Sequence, residues 1–257
     1  MTSPFLPVFL SNAEFFLTEQ QPDIQKRCPG LEEILEFCQQ YRRLGIATLL
    51  LEADPRAFHT ALQKSAFAYL YFSNCAKEAT KATGFAMAPF LDAVASGNHD
   101  CAQAIARHSR GTWNRDEEYE EDFLYPWFLM NRYYLGATKA QVQAILSRYE
   151  EVVGENEDIR LLVCKSLNEG DGKAFARWLK VLIRSWSERY KKLMRSESIP
   201  EEEFSTEGQV FVEGLAVLGI ADRLGFKTEL EYRHIPSLVR NNTSVVNDPD
   251  CWKRIHE

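Results

Sequence analysis

The chain is predicted to be all-α, a bundle of antiparallel helix hairpins that is partly repeat-like, and three observations predict it. Apolar side chains recur at intervals of three and four along much of the sequence, the period of a helix with one buried face. No comparable set of alternating β-branched segments accompanies them. Glycines and capping residues stand at the ends of these runs with short gaps between, and short connections force consecutive helices to lie antiparallel.

The elements follow in order. Met1 to Leu10 carries no basic residue before its apolar run and holds Pro4 and Pro7, so it makes a poor secretory signal, and the cytoplasm is the expected location. From Pro55 a long helix is predicted, with Phe58, Leu62, Ala66, Tyr69, Phe72 and Ala76 along one side. Three later turns look alike: Ala95 to Asp100, Leu135 to Thr138, and Asn168 to Lys173. Intervals of 39 and 34 residues separate Gly97, Gly136 and Gly170, close to helical-repeat periods, although no full repeat consensus is present. Asn98 and Asp171 stand where N-caps are expected, and Thr138 with Gln141 and Thr206 with Gln209 have capping-box spacing. Gly97, Gly136, Gly154, Gly170 and Gly225 read as helix ends.

Between these ends, Val142, Ile145, Tyr149 and Val152 mark one helix, and Phe175, Leu179, Leu182, Trp186, Tyr190 and Leu193 mark another. In Thr206 to Gly225 apolar residues nearly encircle the helix, and only Glu213, Asp222 and Arg223 are charged beyond Glu207, which places it at the bundle centre. Its Gly208, Gly214 and Gly219 are expected where a neighbouring helix approaches closely. No Pro/Gly/Ser-rich linker divides the sequence. One domain over 1–257 is expected: a helical part of about 1–85 packed on a hairpin part of about 86–240, with a loop or tail over about 241–257.

Composition narrows the function. No stretch approaches the roughly 18 to 20 uninterrupted apolar residues of a membrane span, so no membrane partner is expected. Thirty Lys and Arg against 37 Asp and Glu give a formal charge of −7, which opposes nucleic-acid binding and favours a cationic partner. Six cysteines (Cys28, Cys38, Cys75, Cys101, Cys164 and Cys251) stand singly without a Cys-x-x-Cys pair, which suits reduced, mostly buried thiols better than a zinc site or disulfide framework. Gly-rich phosphate loops, Gly-x-Ser-x-Gly elbows and His-Glu-x-x-His spacings are missing, so no catalytic residue, metal ion or cofactor is assigned. The compact trio His99, Asp100 and Cys101 falls on a predicted turn, where capping duty explains it.

The candidate binding surface is the acid run Asp116, Glu117, Glu118, Tyr119, Glu120, Glu121 and Asp122, followed by an aromatic stretch. If the run is helical, Glu117 with Glu121 and Glu118 with Asp122 stack like charges on neighbouring stripes, at a cost of a few tenths of a kcal/mol per pair. A solvated helix start explains the run without function, since acids favour the positive end of the helix dipole, with Pro126 marking a kink or a new helix. The functional reading is a phosphate-mimicking surface that docks on a basic site, with Trp113, Tyr119 and Tyr125 as aromatic anchors. A basic stripe runs the other way, through Lys173, Arg177, Lys180, Arg184, Lys191 and Arg195. It is read as a solvated or ion-paired face, with Glu150-Glu151, Glu155, Glu157-Asp158 or Glu201 to Glu203 opposite.

The helix Ser205 to Gly225 and the segment after it carry a family resemblance. Arg223-Leu224-Gly225, then Tyr232-Arg233-His234-Ile235-Pro236-Ser237-Leu238, resemble the C-terminal part of immunity protein family 49 of bacterial polymorphic-toxin systems, and Ala95 to His108 and Leu167 to Tyr190 are similar too. The resemblance implies an all-helical protein that binds and neutralises a cognate toxin delivered by a contact-dependent or type VI secretion pathway. A cytoplasmic immunity protein implies a toxin with a cytoplasmic target, and a nuclease, whose substrate cleft is cationic, suits an acidic inhibitor that binds 1:1 and occludes that cleft. Two other classes compete: a helical-repeat scaffold or regulatory adaptor for a cellular protein, and an enzyme that reverses a toxin's modification.

Overall fold

The computed structural model describes residues 3–77, 83–84, 86–240 and 248–255, and every statement of absence below refers to them. Twelve α-helices and no strand are found among these residues. Helices α1 (Leu6–Lys26), α2 (Leu31–Glu52) and α3 (Pro55–Cys75) pack in sequence, each on the next. Helix α3 starts where the sequence writes a start: the Asp54 carboxylate accepts from the Arg56 and Ala57 amides at 2.8 and 3.1 Å, and Pro55 occupies the first turn. Gly45 lets α2 lie against it, because a Cβ there would sit 2.8 Å from that of Ala61.

Three short-linked pairs follow: α4 (Met87–Ala95) with α5 (His99–His108), α6 (Glu120–Tyr133) with α7 (Lys139–Val153), and α8 (Ile159–Glu169) with α9 (Gly172–Arg195). The five glycines read as helix ends all take positive φ, between 63° and 76°. Asn98 caps α5, Asp171 caps α9, and Thr138 with Gln141 forms the capping box of α7. A short α10 (Glu201–Ser205) leads to α11 (Val212–Arg223) and α12 (Ser237–Arg240). Helix α11 packs on α4, which packs on α3, so the nearly all-apolar helix is central as expected.

Four expectations need correction. Thr206 and Gln209 do not form a capping box: the Thr206 hydroxyl donates to the Glu202 carbonyl at 2.7 Å, and the Gln209 amide donates to the Phe204 carbonyl at 2.8 Å. Both therefore close α10, and α11 starts at Val212. The glycines of this segment differ as well. A Cβ on Gly208 would meet the Phe204 carbonyl at 2.5 Å and the Tyr190 ring of α9 at 3.0 Å, so a neighbouring helix does approach there, whereas one on Gly214 would strike the Phe211 ring at 2.3 Å and one on Gly219 would meet nothing within 4 Å.

Cys28 and Cys75 are joined by a disulfide, with Cα atoms 5.7 Å apart, whereas Cys38, Cys101, Cys164 and Cys251 are free and buried as expected. The packing of α1, α2 and α3 brings the α1–α2 connection beside the end of α3, a proximity that a separation of 47 residues conceals. The expected tail is not loose throughout. Residues 241–247 lie outside the described residues, but Cys251–Lys253 form a 3-10 turn that buries Trp252 against Phe37 and Tyr71, with ring centroids 6.0 and 5.1 Å apart. The Tyr41 hydroxyl donates to the Trp252 carbonyl, and buried Lys64 donates to the carbonyls of Arg254 and Ile255.

Candidate functional site

The first half of the acid run is folded around one cation. The guanidinium of Arg110, mostly buried, donates to Glu117 at 2.7 Å and Glu118 at 3.1 Å, and the Trp113 indole donates to the Glu118 carbonyl at 2.9 Å. The Asn114 side chain accepts from the Asp116 amide, so Arg115 to Glu117 make a turn and not a helix. Helix α6 begins only at Glu120. The expected like-charge stripes, Glu117 with Glu121 and Glu118 with Asp122, therefore do not form, and the acids of the first helical turn face its positive dipole end. Pro126 lies inside α6 and withholds the amide that would bond to the Asp122 carbonyl. Against that carbonyl packs Gly84, whose Cβ, if present, would lie 2.4 Å from it.

The run's side chains part company. Tyr119 is 75% exposed, and Glu117 stands at the surface. Glu118 turns inward, with only 3% of its side chain exposed. Glu120 makes two hydrogen bonds to Arg148 of α7, at 2.7 and 2.8 Å, and Glu121 lies half-buried beside it. Asp122 reaches Arg160 of α8 at 3.4 Å, while Arg160 is held by Glu213 of α11 through two bonds of 2.9 and 2.7 Å. Trp113 is half-buried. Tyr125 is fully buried beneath the Arg160 guanidinium, with its hydroxyl pushed far above its ordinary range by burial, so it cannot serve as the surface anchor the sequence suggested.

Three clefts lie beside this ridge, each sharing lining residues with the next. The first, about 630 Å³, lies between Asp116–Tyr119, Asp122, Gly84 and Met87, with Arg115, Arg160 and Arg189 at its edges. The second, about 190 Å³, shares Met87, Arg160 and Arg189 with it and adds Glu203, Glu207 and Glu213 over an apolar floor that includes Leu91 and Val212. The third, about 570 Å³, shares Arg42, Ala88 and Glu207 with the second and is walled by Glu32, Glu36 and Asp92. Its base is a buried ion pair, Arg42 to Asp92 at 2.7 Å, steadied by the Ser65 hydroxyl donating to Asp92 at 2.6 Å. The sequence signalled the acid run, Glu203 and Glu213 separately, but not Asp92, and only the fold brings them together with Glu207.

The basic stripe finds a different partner from those expected. Lys180 meets Glu229, after α11, and Lys180, Arg184 and Lys191 line a cleft of about 440 Å³ with it. Glu150, Glu151 and Glu203 hold Lys165, Arg148 and Arg43 instead, and Asp158 caps α8. His99 opens α5 and touches the Tyr134 hydroxyl at 3.2 Å. Among the described residues no group of three or more His, Cys, Asp or Glu is arranged to hold a metal ion, and no helix is long and apolar enough to cross a membrane.

Residues 53–238, from the start of α3 into α12, match the family model described as Immunity protein 49. No curated protein and no solved structure matches the chain.

Proposed function

The chain belongs to the immunity protein 49 family, and from that premise we propose that it neutralises one cognate toxin by forming a 1:1 complex that covers the toxin's active site. The observation that supports this most is the ridge around Tyr119, an exposed aromatic side chain flanked by Glu117, Glu121 and Asp122 and seated on a fixed ion-pair framework. A rigid aromatic anchor with carboxylates beside it suits a cationic, preformed partner surface. A nuclease acting in the cytoplasm fits as the toxin, because phosphate-binding clefts are cationic and an acidic partner associates with them quickly. Type VI or contact-dependent delivery would bring such a toxin to the cell. The chain acts by binding, with no turnover.

Co-expression with the C-terminal toxin domain encoded by the adjacent gene tests this. Growth rescue together with a co-purifying 1:1 complex is the expected result. Rescue at far less than one immunity chain per toxin would replace occlusion by an enzymatic reversal, and a complex with a cellular protein but no protection would favour the scaffold reading.

The Cys28–Cys75 bond favours a second reading of place. Disulfides persist where thiols are oxidised, so a chain carrying this one would meet its toxin outside the cytoplasm. Alkylation of intact cells followed by mass spectrometry decides: alkylated Cys28 and Cys75 support the cytoplasm, and a protected pair supports an oxidising compartment.

A further inference from the structure

Taken as one furrow through their shared lining residues, the three clefts run from Tyr119, across the first turns of α4, to the start of α2. Ten carboxylates line it against four guanidinium groups, and Arg43 and Arg110, paired with four of those carboxylates, reduce the excess to four in a chain whose formal excess is seven. Four of the carboxylates are fixed in the walls: the side chains of Asp92, Glu118, Glu207 and Glu213 are 2%, 3%, 11% and 12% exposed. Each of the four is already paired with a guanidinium group, Asp92 with Arg42, Glu118 with Arg110, Glu207 with Arg43 and Glu213 with Arg160, so the attraction for an incoming cation comes from the more exposed carboxylates around them. Between the acidic walls the floor is apolar, with Met87, Ala88 and Leu91 of α4 facing Val212.

Resting on the toxin-binding reading, we propose that this furrow, rather than the acid run alone, is the docking surface, and that it seats an extended segment of the toxin in which Lys or Arg alternates with small apolar residues. The segment's cations face the carboxylate walls and its apolar side chains lie on the α4 floor. Glu32 and Glu36, at the end remote from Tyr119, are exposed and fall outside the family-matched residues 53–238. Within the furrow they would contact the toxin from outside the matched region.

The test uses the full chain and the same toxin domain. Glu32→Lys with Glu36→Lys changes two exposed helix residues and leaves folding intact, which a thermal melt checks. Association with the toxin is expected to slow about tenfold at low salt, with the difference shrinking as salt rises. Reversal of Lys173 and Arg177, on the basic face of α9, is expected to leave association unchanged. If the α2 variant associates and protects like the wild type, the furrow proposal falls while the immunity reading stands. If the wild-type chain neither binds nor protects, the immunity reading falls and the proposal with it. An NMR titration with an alternating Lys-Ala decapeptide separates these cases: shifts confined to the furrow support it as a cation-binding groove, and shifts spread over the surface overturn it.

Discussion

A methyl group added at Gly45 would sit 2.8 Å from the Ala61 Cβ, whereas one added at Gly219 would meet nothing within 4 Å. Both residues are helical, so the same substitution should act in opposite directions. Gly45→Ala is expected to lose about 1–3 kcal/mol by forcing α2 from α3, and Gly219→Ala to gain about 0.5–1 kcal/mol of helix propensity, both read from urea midpoints at constant slope. His59 makes a pH prediction. Its Nε2 lies 2.7 Å from the Val239 carbonyl, so Nε2 carries the proton of a neutral ring, and burial lowers its pKa. His99 and His234 are lowered too, again chiefly by burial. With the folded pKa below the unfolded value of about 6.5, the unfolded chain takes up the proton first, and stability falls as pH drops through about 6.5. Melting should therefore shift down between pH 7 and 5.5, and His59→Gln should flatten that slope; an unchanged slope would place the titration elsewhere.

The Cys28–Cys75 bond joins the α1–α2 connection to the end of α3 and closes α2 and α3 into a covalent loop. Constraint of the unfolded chain over 47 residues stabilises by up to about 4 kcal/mol in the chain-entropy model. Serine at both positions is expected to lower the denaturation midpoint by a corresponding amount, and a reducing agent should do the same to the wild type while leaving the double variant unmoved. No spacing in the sequence announces this pairing, whereas the helix ends at Asn98, Thr138 and Asp171 were legible because each is written within four contiguous residues. Thr206 and Gln209 carry the same spacing and mislead, since the hydroxyl of Thr206 turns back to α10 and the Phe211 amide is satisfied by the distant His234 carbonyl at 2.7 Å. The acid run was visible as a composition, but its shape was not: Arg110 and Asn114 draw its first half into a turn. The furrow was the least legible, because α2, α4 and the α10–α11 connection each supply one wall.

At the scale of the whole molecule, charge is segregated, with the furrow holding most of the net negative excess while the α9 face carries a row of cations. Association with a cationic partner should therefore slow steeply between low and physiological salt while dissociation changes little, a contrast that stopped-flow mixing measures directly. Trp252 has a consequence of another kind. It fills the space between Phe37 and Tyr71, and its carbonyl receives the Tyr41 hydroxyl, yet the ribosome adds it long after the three helices it packs on. The first three helices thus leave the exit tunnel with a slot on their flank that their own sequence cannot fill. During translation they remain an unfinished unit that a chaperone can hold, and the slot closes when the residues around 252 emerge.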